Sequence, residues 1–302
     1  MIDVIDFSNW KEYDGASEGS GRSEKIWLKS DDGHIGVFKF PKIDPSNKET
    51  TEHISEHLAY KIGQQIGVQT AKVDIGIYNG RIGSMSYLVC NETETLKEGI
   101  WYISAKYPKY SIEKMQDEDG GKYYCIEHLF GAISNLLPNI IHIEMMLFDF
   151  LIGNSDRHHS NWAVLTDTKI DGGVQKNVRQ CPLYDNGSSL CCYIKDEDVL
   201  SLLGKDKARF NALVDSKSKS IIRINGNEKR TPTHKEVIEY LFENYAVSKE
   251  IAKNFLEKLS NEVITNLLCE YQQELLTREK RELIRRFLNK KVDILREVLE
   301  RD

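Results

Sequence analysis

The segment Gly153-Asn154-Ser155-Asp156-Arg157-His158-His159-Ser160-Asn161-Trp162 carries more chemistry in ten positions than any other part of the chain. Before it, Ile140 to Ile152 is nearly all apolar, which predicts a helix buried on most sides and ending at Gly153-Asn154. After it, Trp162 to Thr166 and Val178 to Tyr184 read as short strands, separated by a polar link containing Asp171-Gly172-Gly173. A loop between a buried helix and a strand is where catalytic groups are commonly presented. Asp156 and Asn161 stand five residues apart. A carboxylate can accept the proton of an incoming hydroxyl, and an amide oxygen can help hold magnesium on phosphates. Taken alone, D-x-x-x-x-N recurs by chance in many loops.

A second element follows in Pro182-Leu183-Tyr184-Asp185-Asn186-Gly187-Ser188-Ser189, where apolar residues lead into Asp, one residue, then Gly. That is the form of the kinase Asp-Phe-Gly element, whose Asp ligates magnesium, and the spacing of Asp156 and Asn161 is that of the kinase catalytic loop. An Asp-Asn-Gly turn at a strand end is common. The order helix, D-x-x-x-x-N loop, strand, strand, D-x-G is much rarer and points to phosphoryl transfer.

Such chemistry needs a phosphate-gripping loop and a lysine upstream. Gly36-Val37-Phe38-Lys39-Phe40 sets a lysine among strand formers, as Val-Ala-Ile-Lys does in kinases. Gly15-Ala16-Ser17-Glu18-Gly19-Ser20-Gly21-Arg22-Ser23 has glycines that let backbone N–H groups approach a polyphosphate, with hydroxyls and Arg22 as further donors. A flexible surface loop and an exposed strand lysine are the plainer readings of these stretches. Around them, Ile26 to Lys29 and Ile35 to Phe40 read as strands joined at Asp31-Asp32-Gly33. A helix is predicted from about Lys48 to Ile66, with Ile54, Leu58, Ile62 and Ile66 on one stripe and Gly67 as cap. Val73 to Tyr78 and Gly83 to Val89 read as a hairpin about Asn79-Gly80. Cys90 to Lys97 is polar and reads as a connection.

Composition sets the outer limits. The 302 residues are 40% hydrophobic and 29% charged, enough apolar mass for a sizeable core. No apolar run approaches the ~20 residues of a membrane-spanning helix, and Met1 to Trp10 lacks the pattern of a signal peptide. The expectation is a soluble, cytoplasmic protein. A net charge of -6 argues against a general nucleic-acid binder. The six cysteines form no C-x-x-C pair and read as reduced thiols. Ile284, Leu288, Val292, Leu295 and Leu299 mark a stripe on the last helix, too short for a persuasive coiled coil. Arg278, Arg281, Arg285 and Arg286 alternate with glutamates, as on a solvated helix face.

These residues resemble the HipA family of bacterial serine/threonine kinases, in particular its short, CtkA-type members. The strongest matches are F-D-F-L-I-G-N-S-D-R-H-H-S-N-W (Phe148 to Trp162) and P-L-Y-D-N-G-S-S-L (Pro182 to Leu190). Weaker ones are V-F-K-F-P (Val37 to Pro41) and E-H-L-A-Y-K-I-G-Q-Q-I-G (Glu56 to Gly67). The resemblance implies an α+β, two-lobed protein-kinase-like fold, with a mostly β N-lobe over residues 1–92 and a helical C-lobe over 93–302. It implies ATP and Mg2+ as cofactors, with adenine on the backbone of Tyr87, Leu88 and Val89 and phosphates on the loop of Gly19, Ser20, Gly21, Arg22 and Ser23. Asp156 would be the catalytic base, and Asn161 and Asp185 would hold magnesium. Lys39 would hold the α/β-phosphates and pair with Glu56, for which Glu52 is the competitor. His158 would brace the loop, while His159 has no assigned role and is expected at the surface.

Two departures matter. HipA carries an extra N-terminal subdomain used to meet its DNA-binding antitoxin, and this sequence starts too late to contain it. Repressor binding by that route is therefore not expected, although another antitoxin or regulatory partner stays open. The family's autophosphorylated loop serine aligns with Glu18, and Ser20 aligns with a second serine of short relatives. The implied substrate is a protein with a serine or threonine acceptor, with neither membrane nor direct nucleic-acid contact. Three rival readings keep some of these residues. One is a metal-dependent hydrolase built on Asp156, His158 and His159 with His128 or His142. Another is an ATP-binding pseudokinase. The third is a kinase-fold enzyme that transfers AMP or acts on a small molecule or lipid head group.

Overall fold

The computed structural model describes residues 1–14, 24–45, 47–170 and 174–301, apart from the side chains of 168–170 and 174–176. In chain order its first elements are β1 (Ile5–Asp6), β2 (Lys11–Glu12), β3 (Lys25–Lys29), β4 (Ile35–Lys39), α1 (Glu52–Ile66), β5 (Val73–Tyr78) and β6 (Arg81–Tyr87). There follow β7 (Glu94–Glu98), α2 (Gly99–Lys106), β8 (Tyr110–Ser111), β9 (Gln116–Asp117), β10 (Lys122–Tyr123), α3 (Ile126–Ile133) and α4 (Ile140–Ile152). The rest are β11 (Ala163–Ile170), β12 (Val174–Gln180), α5 (Asp196–Leu203), α6 (Lys207–Val214), α7 (His234–Asn244), α8 (Ala246–Lys258), α9 (Asn261–Cys269) and α10 (Arg278–Glu300). They form two compact units, neither continuous in sequence. One comprises Met1–Val89, Tyr184–Phe210 and Lys258–Lys290, and the other Cys90–Leu183, Asn211–Glu257 and Lys291–Asp302.

The first unit is built on a six-stranded sheet in the order β1-β5-β6-β4-β3-β2, antiparallel except for the β1–β5 pair. Phe7, Leu28, Phe38, Phe40, Tyr78 and Met85 form its aromatic core. Successive side chains of a strand point to opposite faces, so Phe38 enters that core while its neighbour Lys39 faces the other way. The β5–β6 hairpin turns at Asn79 (φ 50°) and Gly80 (φ 80°), two left-handed residues in a row, which is what an Asn-Gly turn supplies. Gly67 (φ 88°) ends α1 as expected. The start of α1 is a correction: it begins at Glu52 rather than near Lys48. The Asp44 N–H donates to the Lys48 carbonyl, Ile43 bridges Glu49, and the Thr50 N–H donates to the Lys42 carbonyl, so Lys42, Ile43 and Asp44 pair with Thr50, Glu49 and Lys48 in place of a helical turn.

The second unit holds a three-stranded antiparallel sheet, β12-β11-β7, a small β8–β9–β10 sheet, and the helices α2, α3, α4, α7 and most of α8. The polar run expected to be a simple connection contains β7, which pairs with β11 from Glu98↔Ala163 to Glu94↔Asp167. Charged side chains hid the strand, because an edge strand with exposed faces shows no apolar alternation. The β11–β12 ladder runs from Val164↔Gln180 to Ile170↔Val174, longer than the predicted strands. The Asp171-Gly172-Gly173 link lies outside the described residues. Helix α4 spans the predicted Ile140–Ile152 and is buried along nearly its whole length, closing at Gly153 (φ 68°). On α10, Ile284, Leu288, Val292 and Leu295 are all buried, so the stripe packs on the protein itself.

Candidate functional site

In the first unit three charged groups converge. Lys39 Nζ lies 2.9 Å from Glu56 Oε1 and 2.7 Å from Asp185 Oδ1. Glu56 Oε2 accepts the Asn186 N–H at 3.1 Å. Strand β4 aims Lys39 at this point, α1 supplies Glu56, and the Asp185-Asn186-Gly187 turn supplies the third member. Asp185 has φ 56°, a left-handed conformation that Asp tolerates better than most residues. Gly187 lets that turn approach the helix, since a Cβ there would sit 3.3 Å from Glu56 Cγ. The charges do not cancel, because one ammonium faces two carboxylates. Burial opposes a charged Lys39, yet Asp185 and Glu56 together raise its pKa. Burial pushes the Glu56 carboxyl up, aided by Asp185 and opposed by Lys39. A cluster with an excess negative charge and hard oxygen donors suits a divalent cation such as magnesium. Glu52, the competitor for Lys39, is elsewhere: it binds Lys42 Nζ at 2.9 Å and Tyr193 OH at 2.7 Å.

In the second unit the Gly153–Trp162 loop is held from beneath. Arg157 is buried, and its guanidinium reaches Asp149 through Nε at 3.0 Å and Nη2 at 2.8 Å while Nη1 donates to the Asn161 carbonyl at 2.7 Å. Asn154 bridges the same carboxylate, donating Nδ2–H to Asp149 Oδ1 at 3.0 Å and accepting the Asp156 N–H at 3.1 Å. Asn161 Nδ2 donates to the Asp156 carbonyl at 2.8 Å, so Asn161 Oδ1 is the atom left to meet a cation. His158 Nδ1 accepts the Ser160 N–H at 3.2 Å, a bond within the loop.

His159 is a correction: expected at the surface, it is buried against Tyr110 and Tyr124, and its Nδ1 lies 3.3 Å from Tyr110 OH. Tyr110 of β8 and Tyr124, just after β10, cover it, and burial lowers its pKa to about 4. His128 lies 3.4 Å from Cys125 Sγ and His142 lies between Phe130 and Trp162. Among the described residues, no three His, Cys, Asp or Glu side chains cluster as a metal site. Gly19, Ser20, Gly21, Arg22 and Ser23, with Glu18, lie outside the described residues. Of the adenine candidates, the Tyr87 N–H donates to the Lys72 carbonyl and the Leu88 N–H to that of Ile35. Asp149, Asn154 and Arg157 had no role from sequence, although a lone Asp late in an apolar helix, eight residues before an arginine, was a signal. Among the described residues, no helix is long and apolar enough to cross a membrane.

No family model matches the chain. Over 207 residues it is 26% identical to the serine/threonine-protein kinase CtkA of Helicobacter pylori, an alignment covering 65% of this chain and 58% of that protein. The match thus spans less than two thirds of the relative's length. The crystal structure of the Helicobacter pylori proinflammatory kinase CtkA superposes with a TM-score of 0.80 over 99% of both chains, at 18% identity. HipA, in the Shewanella oneidensis complex of HipA, HipB and operator DNA, superposes with a TM-score of 0.50 over 96% of this chain and 62% of that one, at 11% identity. The chain is therefore homologous to CtkA and has the kinase-like fold that CtkA and HipA share.

Proposed function

We propose that this protein is an ATP- and Mg2+-dependent serine/threonine kinase of the HipA type, phosphorylating a protein hydroxyl and modifying itself. The observation that carries the reading is the ion cluster of Lys39, Glu56 and Asp185, with Nζ 2.9 and 2.7 Å from the two carboxylates. An ammonium has three donors, and these two bonds leave the third for a phosphate oxygen. Homology to CtkA is independent support.

Each residue then has a task. Glu56 holds Lys39 in place, and Lys39 binds the α/β-phosphates. Asp156 orients the acceptor hydroxyl and takes its proton as the phosphoryl group departs from ADP. Asn154 and Asn161 hold the backbone of Asp156, Arg157 ties the loop to Asp149, and His158 braces the same loop. Asn161 and Asp185 supply oxygen ligands for magnesium, which when bound offsets the charge on the transferred phosphoryl group. The loop from Gly19 to Ser23 grips phosphates, and the backbone of Tyr87, Leu88 and Val89 reads the adenine edge. The lobe division proposed with this fold runs near residue 92, and the site of action is the cytoplasm.

The test is intact-protein mass spectrometry after incubation with Mg-ATP, beside Asp156→Asn, with peptide mapping. A phosphoryl adduct on the wild type alone is expected. An adenylyl mass would overturn the reaction while keeping the fold. Absence of both adduct and ATP binding would sink the reading.

A further inference from the structure

A buried polar chain that the proposed chemistry does not use ends on the Gly153–Trp162 loop. Lys291, in α10, donates from Nζ to Ser218 Oγ at 2.7 Å. Ser218 Oγ lies 3.0 Å from His234 Nδ1, and His234 Nε2 lies 2.9 Å from the Asn154 carbonyl. All three side chains are buried, with Lys291 1%, Ser218 8% and His234 2% exposed. The direction of every bond is determined. An ammonium can only donate, so Ser218 accepts from Lys291 and has its own hydrogen free for His234. A carbonyl can only accept, so His234 carries its proton on Nε2 and accepts at Nδ1. Burial, with Lys291 adding to it, lowers the pKa of His234 to about 3, so this neutral tautomer persists at working pH.

The placement of the imidazole is equally fixed. His234 is the first residue of α7, directly after Thr233, whose side chain and that of Glu236 form a reciprocal capping box. Its own N–H donates to the Ser218 carbonyl at 2.8 Å, and Lys219 bridges Thr233. The far end of the chain is Asn154, whose side chain touches both Asp149 and the Asp156 N–H. The carbonyl held by His234 and the amide that sets Asp156 thus belong to one residue.

We propose that His234, oriented by Ser218 and Lys291, is a positioning residue for Asp156, holding the Asn154 backbone so that the carboxylate stays aligned for proton transfer. This rests on the reading of Asp156 as the base. The role differs from general packing, because it requires one tautomer and a donor at Nε2. A side chain that fills the space without donating leaves the Asn154 carbonyl buried without its partner and lets the loop shift. Displacement of a catalytic group by about 1 Å can cost on the order of a hundredfold in rate.

Three measurements test it. First, nitrogen-15 histidine NMR of the wild type should show His234 as the Nε2–H tautomer from pH 7.5 to pH 5; an Nδ1–H tautomer or a titration in that range overturns the proposal. Second, transfer from Mg-ATP to the chain itself or to casein should be followed in His234→Phe, His234→Gln and Lys291→Met. His234→Phe should lose about ten- to a hundredfold in kcat with the KM for ATP within about twofold, and His234→Gln, which keeps a donor near Nε2, should recover most of the loss. Equal losses in Phe and Gln variants that track their melting temperatures, or an unchanged kcat in folded His234→Phe, would overturn it. Third, hydrogen exchange at the Asp156 and Asn161 amides should accelerate in His234→Phe or, should that variant not fold, in Lys291→Met; protection equal to the wild type overturns the proposal. Wild-type protein that transfers nothing would sink the kinase reading, and the tautomer and exchange results would still decide whether His234 holds the loop.

Discussion

Lys39 shows how much of the site rests on single charges. Its ammonium faces two carboxylates, and its side chain is only 18% exposed. Lys39→Met would leave Glu56 and Asp185 facing each other without a cation. Losing one partner of a buried ion pair costs about 3–5 kcal/mol, so we expect a drop of about 3 kcal/mol in urea unfolding. Lys39→Met with Glu56→Gln should recover more than half, because the carboxylate of Glu56 has then gone too; a double variant no more stable than the single one would mean the cost was lost packing. Both variants should abolish transfer. At Arg157 the geometry matters more than the charge. Arg157→Lys keeps the cation but cannot reach Asp149 and the Asn161 carbonyl together, and we expect a loss of about 2 kcal/mol with at least a tenfold fall in transfer. At this scale the sequence was readable where spacing carries meaning: V-F-K-F set a lysine on a strand, and D-x-x-x-x-N put Asp156 and Asn161 on one loop. It was silent on His234–Asn154, which joins residues distant along the chain, and for Asp149–Arg157, eight residues apart, it offered only a lone Asp in an apolar helix. It misjudged His159, since a histidine in a polar loop gives no sign of the tyrosines that cover it.

One element whose placement depends on many such contacts is α1. Its first turns dock on the residues after Asp185: Thr51 N–H donates to the Cys192 carbonyl, Ser55 Oγ to that of Ser189, Glu56 accepts from Asn186, and Glu52 accepts from Tyr193 OH. Tyr193 OH also lies 2.8 Å from Ser188 Oγ. The helix therefore has the sheet of its unit on one side and the 186–193 segment on another. That explains why Glu56 is buried although it lies off the Ile54/Leu58/Ile62 stripe. Periodicity identifies a single apolar face, whereas a helix covered on several sides buries polar residues that have partners. The same reasoning covers the misplaced start of α1, where backbone pairing of Lys42, Ile43 and Asp44 with Thr50, Glu49 and Lys48 outweighed helical propensity. Tyr193→Phe removes the hydroxyl that ties Glu52 to the segment. We expect a loss of about 1 kcal/mol and faster hydrogen exchange over residues 52–56, with the Lys39–Glu56 pair still formed and transfer reduced only a few-fold. Unchanged exchange there would mean that the remaining contacts hold the helix unaided.

At the scale of the whole molecule, the sequence revealed local elements better than their assembly. The return of Tyr184–Phe210 and Lys258–Lys290 to the first unit is not readable from periodicity, because no local pattern states which distant surface a face will meet. Burial accumulated over the whole chain has a consequence that can be measured. His53, His57 and His159 have pKa values lowered to about 4, and His142 and His234 to about 3, in each case chiefly by burial. In the unfolded chain each would titrate near 6.5. A base whose folded pKa is depressed contributes its full stability above the unfolded value and loses it as pH falls toward the folded value. The carboxylates act lower: Glu236 and Glu282, each held at about 2 by arginine, lose their contribution only below about 4.5. Between pH 6.5 and 4.5 the histidines therefore dominate, and each removes about 1.4 kcal/mol per pH unit once it is protonated only in the unfolded chain. The five together remove about 10 kcal/mol by pH 5, comparable with the 5–15 kcal/mol that stabilises a typical domain, so unfolding at 25 °C is expected near pH 5, with melting temperature falling steeply from pH 7 downward. His142 offers the sharpest test. Among the described residues neither ring nitrogen has a hydrogen-bond partner, and the ring lies stacked 6.1 Å from Phe130 and edge-on to Trp162 at 4.6 Å. His142→Phe keeps an aromatic ring there and removes the titration, so it should match the wild type at pH 7.5 and exceed its stability at pH 5.5, with one proton fewer taken up on unfolding. A melting temperature flat from pH 7 to pH 5, or a His142→Phe variant with the wild-type slope, would show that these buried histidines do not set the acid limit.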